Sequence, residues 1–218
     1  MATQIPQQPE YPVQFSVDYP DRDLNRVTTA FRIFTIIPIA IVLGTVSGGT
    51  WQSSYGHGAT TTTTTIAVAG GLLFWGPLLM ILFRKKYPRW WFDWNLELQR
   101  FSSRVGIYLA LMDDRYPSTD EHQSVHLEYV YPEAARDLIR WLPLVKWALA
   151  IPHVIVLIFL NIAAVVVVIV AWFAILFTGR YPRGMFDFVE GVIRWNNRVL
   201  GYAVTLVTDK YPPFRLAP

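Results

Sequence analysis

Cysteine is absent from this 218-residue chain, which excludes disulfide bonds and thiolate metal sites. Charge is scarce as well. Asp, Glu, Lys and Arg make up 16% of the residues, against roughly a quarter in an ordinary soluble domain. None of them lies between Ile33 and Phe83 or between Trp147 and Gly179. Uncharged runs of that length, rich in Leu, Ile, Val and Phe, are expected to be membrane segments. Met1 to Glu10 is polar and has no basic n-region, so no cleavable leader is expected. The chain also lacks a Walker loop, a dinucleotide fingerprint, a Gly-x-Ser-x-Gly elbow and a His-Glu-x-x-His pair. With few polar groups inside the apolar runs, an ion or solute path is disfavoured too.

What the chain does contain is one passage written twice. Residues 83–104 read FRKKYPRWWFDWNLELQRFSSR, and residues 177–198 read FTGRYPRGMFDFVEGVIRWNNR. At a constant spacing of 94 positions, Phe83, Tyr87, Pro88, Arg89, Phe92, Asp93, Arg100 and Arg104 meet identical residues. The correspondence extends upstream. Val13-Gln-Phe15-Ser-Val17 and Val125-His-Leu127-Glu-Tyr129 both alternate apolar and polar residues, which predicts two short strands able to pair with each other. Tyr19-Pro20 and Tyr131-Pro132 follow them, and Arg32 corresponds to Lys146 further on. Internal duplication beside apolar runs points to a repeat-built membrane protein.

The runs suggest two hairpins. The first begins after Arg32 with IFTIIPIAIVLGTVS, continues through a loop, GGTWQSSYGHGATTTTT, and returns over Ile66–Phe83. Eighteen helical residues reach about 27 Å, enough for a somewhat thin hydrocarbon core. In the second half a tight turn is expected near Asn161, giving one span from Trp141 to Leu160, with Lys146 snorkelling, and another from Ile162 to Phe177. The expected fold is therefore an all-α membrane protein of two parallel repeats. Each repeat would hold a short strand, a two-helix transmembrane or re-entrant hairpin and an interfacial amphipathic helix. The expected boundaries are a polar tail over 1–12, repeat one over 13–117 (hairpin 33–83, amphipathic helix 90–112) and repeat two over 118–218 (hairpin 141–177, amphipathic helix 184–207). A single long helix through Trp141–Phe177 is the rival, and it would carry Arg180 and Arg183 to the opposite side. With hairpins, the basic residues beside the spans place both termini and both copies of the passage in the cytoplasm.

After each Tyr-Pro-Arg, apolar residues recur at heptad spacing: Trp91, Trp94, Leu98, Phe101, Val105 and Tyr108, then Met185, Phe188, Val192, Trp195, Val199 and Tyr202. Bulky aromatics with basic neighbours suit an amphipathic helix lying in the membrane interface, while packing against the other repeat is the alternative. The candidate lipid- or partner-binding residues are Lys85, Lys86, Arg89, Trp90, Trp91, Trp94, Arg100 and Arg104, then Arg180, Arg183, Phe188, Arg194, Trp195 and Arg198. The net charge of +3 sits beside the apolar runs, which favours anionic lipid headgroups and argues against nucleic acid. Asp93 and Asp187 are expected to pair with Arg89 and Arg183 or with the helix N-terminus. His122 and His126 sit in a strand pattern that separates them, so no metal or cofactor is expected. His153, inside the third span, is expected to be solvated or to hydrogen-bond between helices.

The pattern YPR-x-x-FDF-x-x-x-x-x-RW-x-x-R-V, closing in TD-K-YPPF, resembles a family of bacterial membrane proteins known as a domain of unknown function. Phe186-Asp187-Phe188 and Arg194-Trp195-Asn196-Asn197-Arg198 carry the likeness; the first copy has Trp94 for the final Phe and Phe101 for Trp. The resemblance extends from about Val13 to Phe214 and implies the bacterial cytoplasmic membrane, without an activity or ligand. The expected function is a non-catalytic accessory or scaffold subunit that docks on a larger membrane complex or organises anionic lipid. The alternative is a small lipid-handling transporter or enzyme with a cavity between the repeats.

Overall fold

Alternating apolar residues make Val13–Val17 a strand, β1, whose Val13, Phe15 and Val17 are buried. A computed structural model describes residues 11–47, 51–55, 62–66, 76–119 and 121–218 of the chain. After β1 come α1 (Arg26–Thr35) and α2 (Ile37–Ser47). The Asn25 side chain caps α1, its oxygen accepting from the amides of Val27 and Thr28. The two helices meet at a 41° bend.

The Thr-rich segment, expected as a plain loop, instead holds two strands, β2 (Trp51–Tyr55) and β3 (Thr62–Ile66), paired antiparallel with Trp51 opposite Ile66. A run of β-branched threonines suits an extended backbone. Residues 67–75 of the second apolar run lie outside the described residues, so the returning span of the first hairpin is described only at its end. There a π-helical turn, Met80–Arg84, stops at Lys85, whose φ of 49° is left-handed.

Next come α3 (Arg89–Leu109), β4 (Val125–Tyr129), α4 (Ala134–Asp137), α5 (Pro143–Thr178) and α6 (Arg183–Ala203). β1 and β4 pair antiparallel, Val13 opposite Tyr129 and Val17 opposite Val125. A two-stranded ribbon is marginal alone. Here α3 packs beside β4 and α6 beside β1, closing a core that includes Phe15, Leu127, Phe92 and Phe186. Gly201 is where α6 comes nearest: a Cβ there would lie 2.6 Å from Val13 Cγ2.

The expected fold of two membrane-hairpin repeats is overturned: among the described residues one helix is long and apolar enough to cross a membrane, and the bent α1–α2 pair adds at most one more span. Instead of two spans turning at Asn161, α5 is one helix of 36 residues, about 54 Å long. The physical reason is visible in the sequence: no Gly or Pro follows Pro152 until Gly179, so nothing breaks the helix. Asn161 needs no turn, because its amide exchanges hydrogen bonds with Asn196 of α6 (3.1 and 3.4 Å). The stop comes at Gly179, whose φ of 78° is accessible to glycine without strain. Lys146 does not snorkel either. It is fully buried, donates to the Thr208 carbonyl (2.8 Å) and pairs with Asp209 (2.7 Å).

α5 is long and apolar enough to cross a membrane, and only 11% of its most apolar 18-residue window is buried. α1 and the first part of α2 meet the same test only when taken together across their bend.

Candidate functional site: two aromatic–basic helices on a shared ribbon

Proline after tyrosine fixes how each passage enters its helix. It disfavours a helical conformation for the tyrosine and is itself tolerated where the helix begins. Pro88 and Pro182 accordingly hold extended backbone (φ −62° in both) immediately before α3 and α6. The tyrosines ahead of them are buried, and their backbone carbonyls accept from two other tyrosines. Tyr131 Oη donates to the Tyr87 carbonyl (2.6 Å), and Tyr19 Oη donates to the Tyr181 carbonyl (2.5 Å). Arg89 lies over the Tyr131 ring (5.1 Å) and Arg183 over the Tyr19 ring (4.6 Å). Burial pushes the hydroxyls of Tyr87 and Tyr181 well above the ordinary tyrosine range.

The same correspondence continues along both helices. Arg100 Nε donates to the Leu127 carbonyl of β4 (2.9 Å), and Arg194 Nε donates to the Phe15 carbonyl of β1 (2.8 Å). Each helix thus ties the strand that lies in the other half of the sequence. Arg104 and Arg198 reach the chain beyond their helices, donating to the carbonyls of Ser118 (2.7 Å) and Arg215 (3.3 Å). Arg32 and Lys146 complete the set. Arg32 donates to the Asp113 carbonyl (2.6 Å) and covers the Tyr108 ring; Lys146 donates to the Thr208 carbonyl and covers the Tyr202 ring. Asp114 accepts from the Asn25 amide (3.2 Å) and Asp209 from the Ile139 amide (2.6 Å). Burial alone would raise the Asp114 carboxyl, but hydrogen bonds from Arg22 and from the Asn25 amide hold it below the usual carboxylate range.

The fourteen candidate binding residues divide by exposure. Lys85, Lys86, Arg89, Trp90, Trp94, Arg180 and Arg183 are exposed, and Trp91, Arg100 and Phe188 are half-buried. Arg104, Arg194, Trp195 and Arg198 are buried inside the fold. Most of the heptad stripe is also internal: Leu98, Phe101, Val105 and Tyr108 are buried on α3, as are Val192, Trp195, Val199 and Tyr202 on α6. Asp93 and Asp187 pair with Arg89 (4.0 Å) and Arg183 (3.0 Å) one helical turn away.

His153 is buried between helices, its Nδ1 accepting from Trp195 Nε1 (3.1 Å) and its ring stacked on Phe214 (3.9 Å between centroids). His126, on the outer face of β4, pairs with Asp18 (2.9 Å). Among the described residues, no group of three or more His, Asp or Glu is placed to hold a metal ion. The buried cation Arg32 belongs to this network although no candidate set included it. Its signal was its alignment with Lys146 at the edge of an apolar run.

No curated protein and no solved structure matches the chain. A family model described as "Domain of unknown function (DUF4389)" matches residues 140–215, which takes in α5, α6 and the second copy of the passage.

Proposed function

We propose that this protein is a non-catalytic membrane scaffold, whose two aromatic–basic helices are held on one ribbon. In this reading α5 is seated in lipid, and the exposed basic and aromatic residues around Arg89 and Arg183 meet an anionic headgroup layer. The observation that carries it is the bare apolar surface of α5. Phe159, Ile162, Val165, Val166, Ile169, Phe173 and Phe177 are all at least half exposed. A contiguous surface of that size on a soluble monomer is unfavourable, and it fits lipid tails or another membrane subunit.

Phe83 and Phe177 support the placement, because each is largely exposed just ahead of a basic cluster. The matched contacts of α3 and α6 favour a structural use of the arginines, because carbonyl-bound guanidiniums hold chain segments together. Purification of the full chain in mild detergent, followed by mass spectrometry of what stays bound, tests the proposal. Retained anionic lipid or a stoichiometric membrane protein is expected. A lone monomer that is recovered in the soluble fraction without detergent sinks it.

A further inference from the structure

A cavity of about 510 Å3 lies between β1, the second half of α6 and the chain after Phe214; Gln14, His126, Arg194, Arg198 and Arg215 are among its walls. Its size falls within the roughly 300–1,000 Å3 of ordinary ligand sites. Three of these walls carry guanidinium groups, and they are not equivalent. Arg194 is fully engaged: it donates to the Phe15 carbonyl, to the Leu216 carbonyl (2.9 Å) and to Glu190. Arg198 is 3% exposed, yet its Nε has no hydrogen-bond partner. It donates a long hydrogen bond of 3.3 Å to the Arg215 carbonyl, and its guanidinium stands 6.0 Å from the Tyr11 ring.

Among the described residues no carboxylate pairs with Arg198. Burial, together with Arg215 and Arg194, pushes its guanidinium down to about 10, which still leaves it charged at neutral pH. Glu190 already serves Arg194, and His126 is tied to Asp18; Glu128 and Pro218 also line the cavity wall, and neither forms an ion pair with Arg198. A buried cation without a counter-anion is costly, and an entering anion relieves that cost. Phosphate oxygens match the planar donor fork of arginine better than a spherical halide does.

We propose that this cavity binds a phosphate-bearing anion, with Arg198 donating to its oxygens from within and Arg215 closing over it from the exposed side. The phosphate is either free or the headgroup of a lipid such as phosphatidic acid, and only the lipid source rests on the scaffold reading above.

The test uses the full chain in detergent, titrated calorimetrically with inorganic phosphate at constant ionic strength. A parallel arm measures binding to vesicles of phosphatidylcholine with and without phosphatidic acid. Saturable binding is expected, weakened at least tenfold by Arg198→Gln and by Arg215→Gln and unchanged by Lys210→Gln, which lies outside the cavity. Should Arg198→Gln fail to fold, the exposed Arg215→Gln carries the decision. Binding of inorganic phosphate assigns the free anion; phosphatidic acid alone assigns the lipid, and either supports the site. No binding in either arm, or equal weakening by Lys210→Gln, overturns it. The two proposals fail separately. A chain that is soluble without detergent but binds phosphate loses the scaffold and keeps the site, and a membrane-held chain that binds neither loses the site alone.

Discussion

The passages at 83–104 and 177–198 arrive in the fold by different routes and make the same contacts once there. The second follows one unbroken helix, α5, through a glycine turn. The first follows a π-helical turn that ends on a left-handed lysine. Despite that, Tyr87 and Tyr181, Arg89 and Arg183, and Arg100 and Arg194 all reach corresponding partners. The difference teaches that the contacts between the ribbon and its two helices do not depend on the route by which each apolar segment leads in. Local ties to backbone carbonyls set the shared geometry, and apolar surface alone places few demands on connectivity.

The largest expected effect tests the route into the second passage. Asn161→Pro places proline in the middle of α5, where it removes a helical hydrogen bond and the exchange with Asn196, and is expected to cost about 4 kcal/mol. Thermal unfolding in detergent reads this directly. Near-wild-type stability would mean that the chain turns at this position after all.

The next test sharpens the arginine comparison. Arg194 is more buried than Arg100, with side chains 9% and 32% exposed. Arg194→Ala leaves Glu190 without its partner and is expected to cost about 3 kcal/mol, as for a broken buried pair. Arg100→Ala loses one carbonyl contact and an exposed pair with Glu97, and about 1 kcal/mol is expected. Chemical denaturation of the two variants side by side checks the order; equal losses would remove the asymmetry between the halves.

The smallest effect is a pH dependence at Asp114. Its folded-state carboxyl lies below its unfolded value of about 3.9, so the folded chain binds fewer protons in that window. The stability it contributes is complete above about 3.9 and is lost as pH falls through the lower, folded value. Asp114→Asn is expected to flatten that acid limb in a series of unfolding curves. An unchanged acid limb would show that Arg22 and the Asn25 amide do not bias the carboxyl.

Much of this arrangement was legible in the residues. The alternation at 13–17 and 125–129 marked both strands and their pairing, because side chains on a strand change face at every step. Tyr-Pro marked the start of α3 and α6 for an equally local reason. The length of α5 was misread because the polar side chain of Asn161 resembled a turn signal, whereas its amide partner, Asn196, lies 35 residues away in sequence. Burial of Arg104, Arg194 and Arg198 was also hidden. Their compensation comes from backbone carbonyls, which every sequence contains and none displays. Lys146 was hidden in the same way, since Asp209 reaches it only after the chain has run the length of α5 and α6.

The absence of cysteine makes the most direct test of the central claim simple, since one introduced cysteine is the only thiol. A nitroxide label at Ile162, an exposed residue of α5, reports its surroundings by paramagnetic accessibility in reconstituted bilayers. Relaxation by dissolved oxygen with little effect of a water-soluble nickel complex is expected, because oxygen concentrates in the hydrocarbon and the complex is excluded. A label on Ser16, on the polar side of β1, should show the reverse. Strong relaxation of the Ile162 label by the nickel complex would place α5 in water and contradict a scaffold seated in lipid.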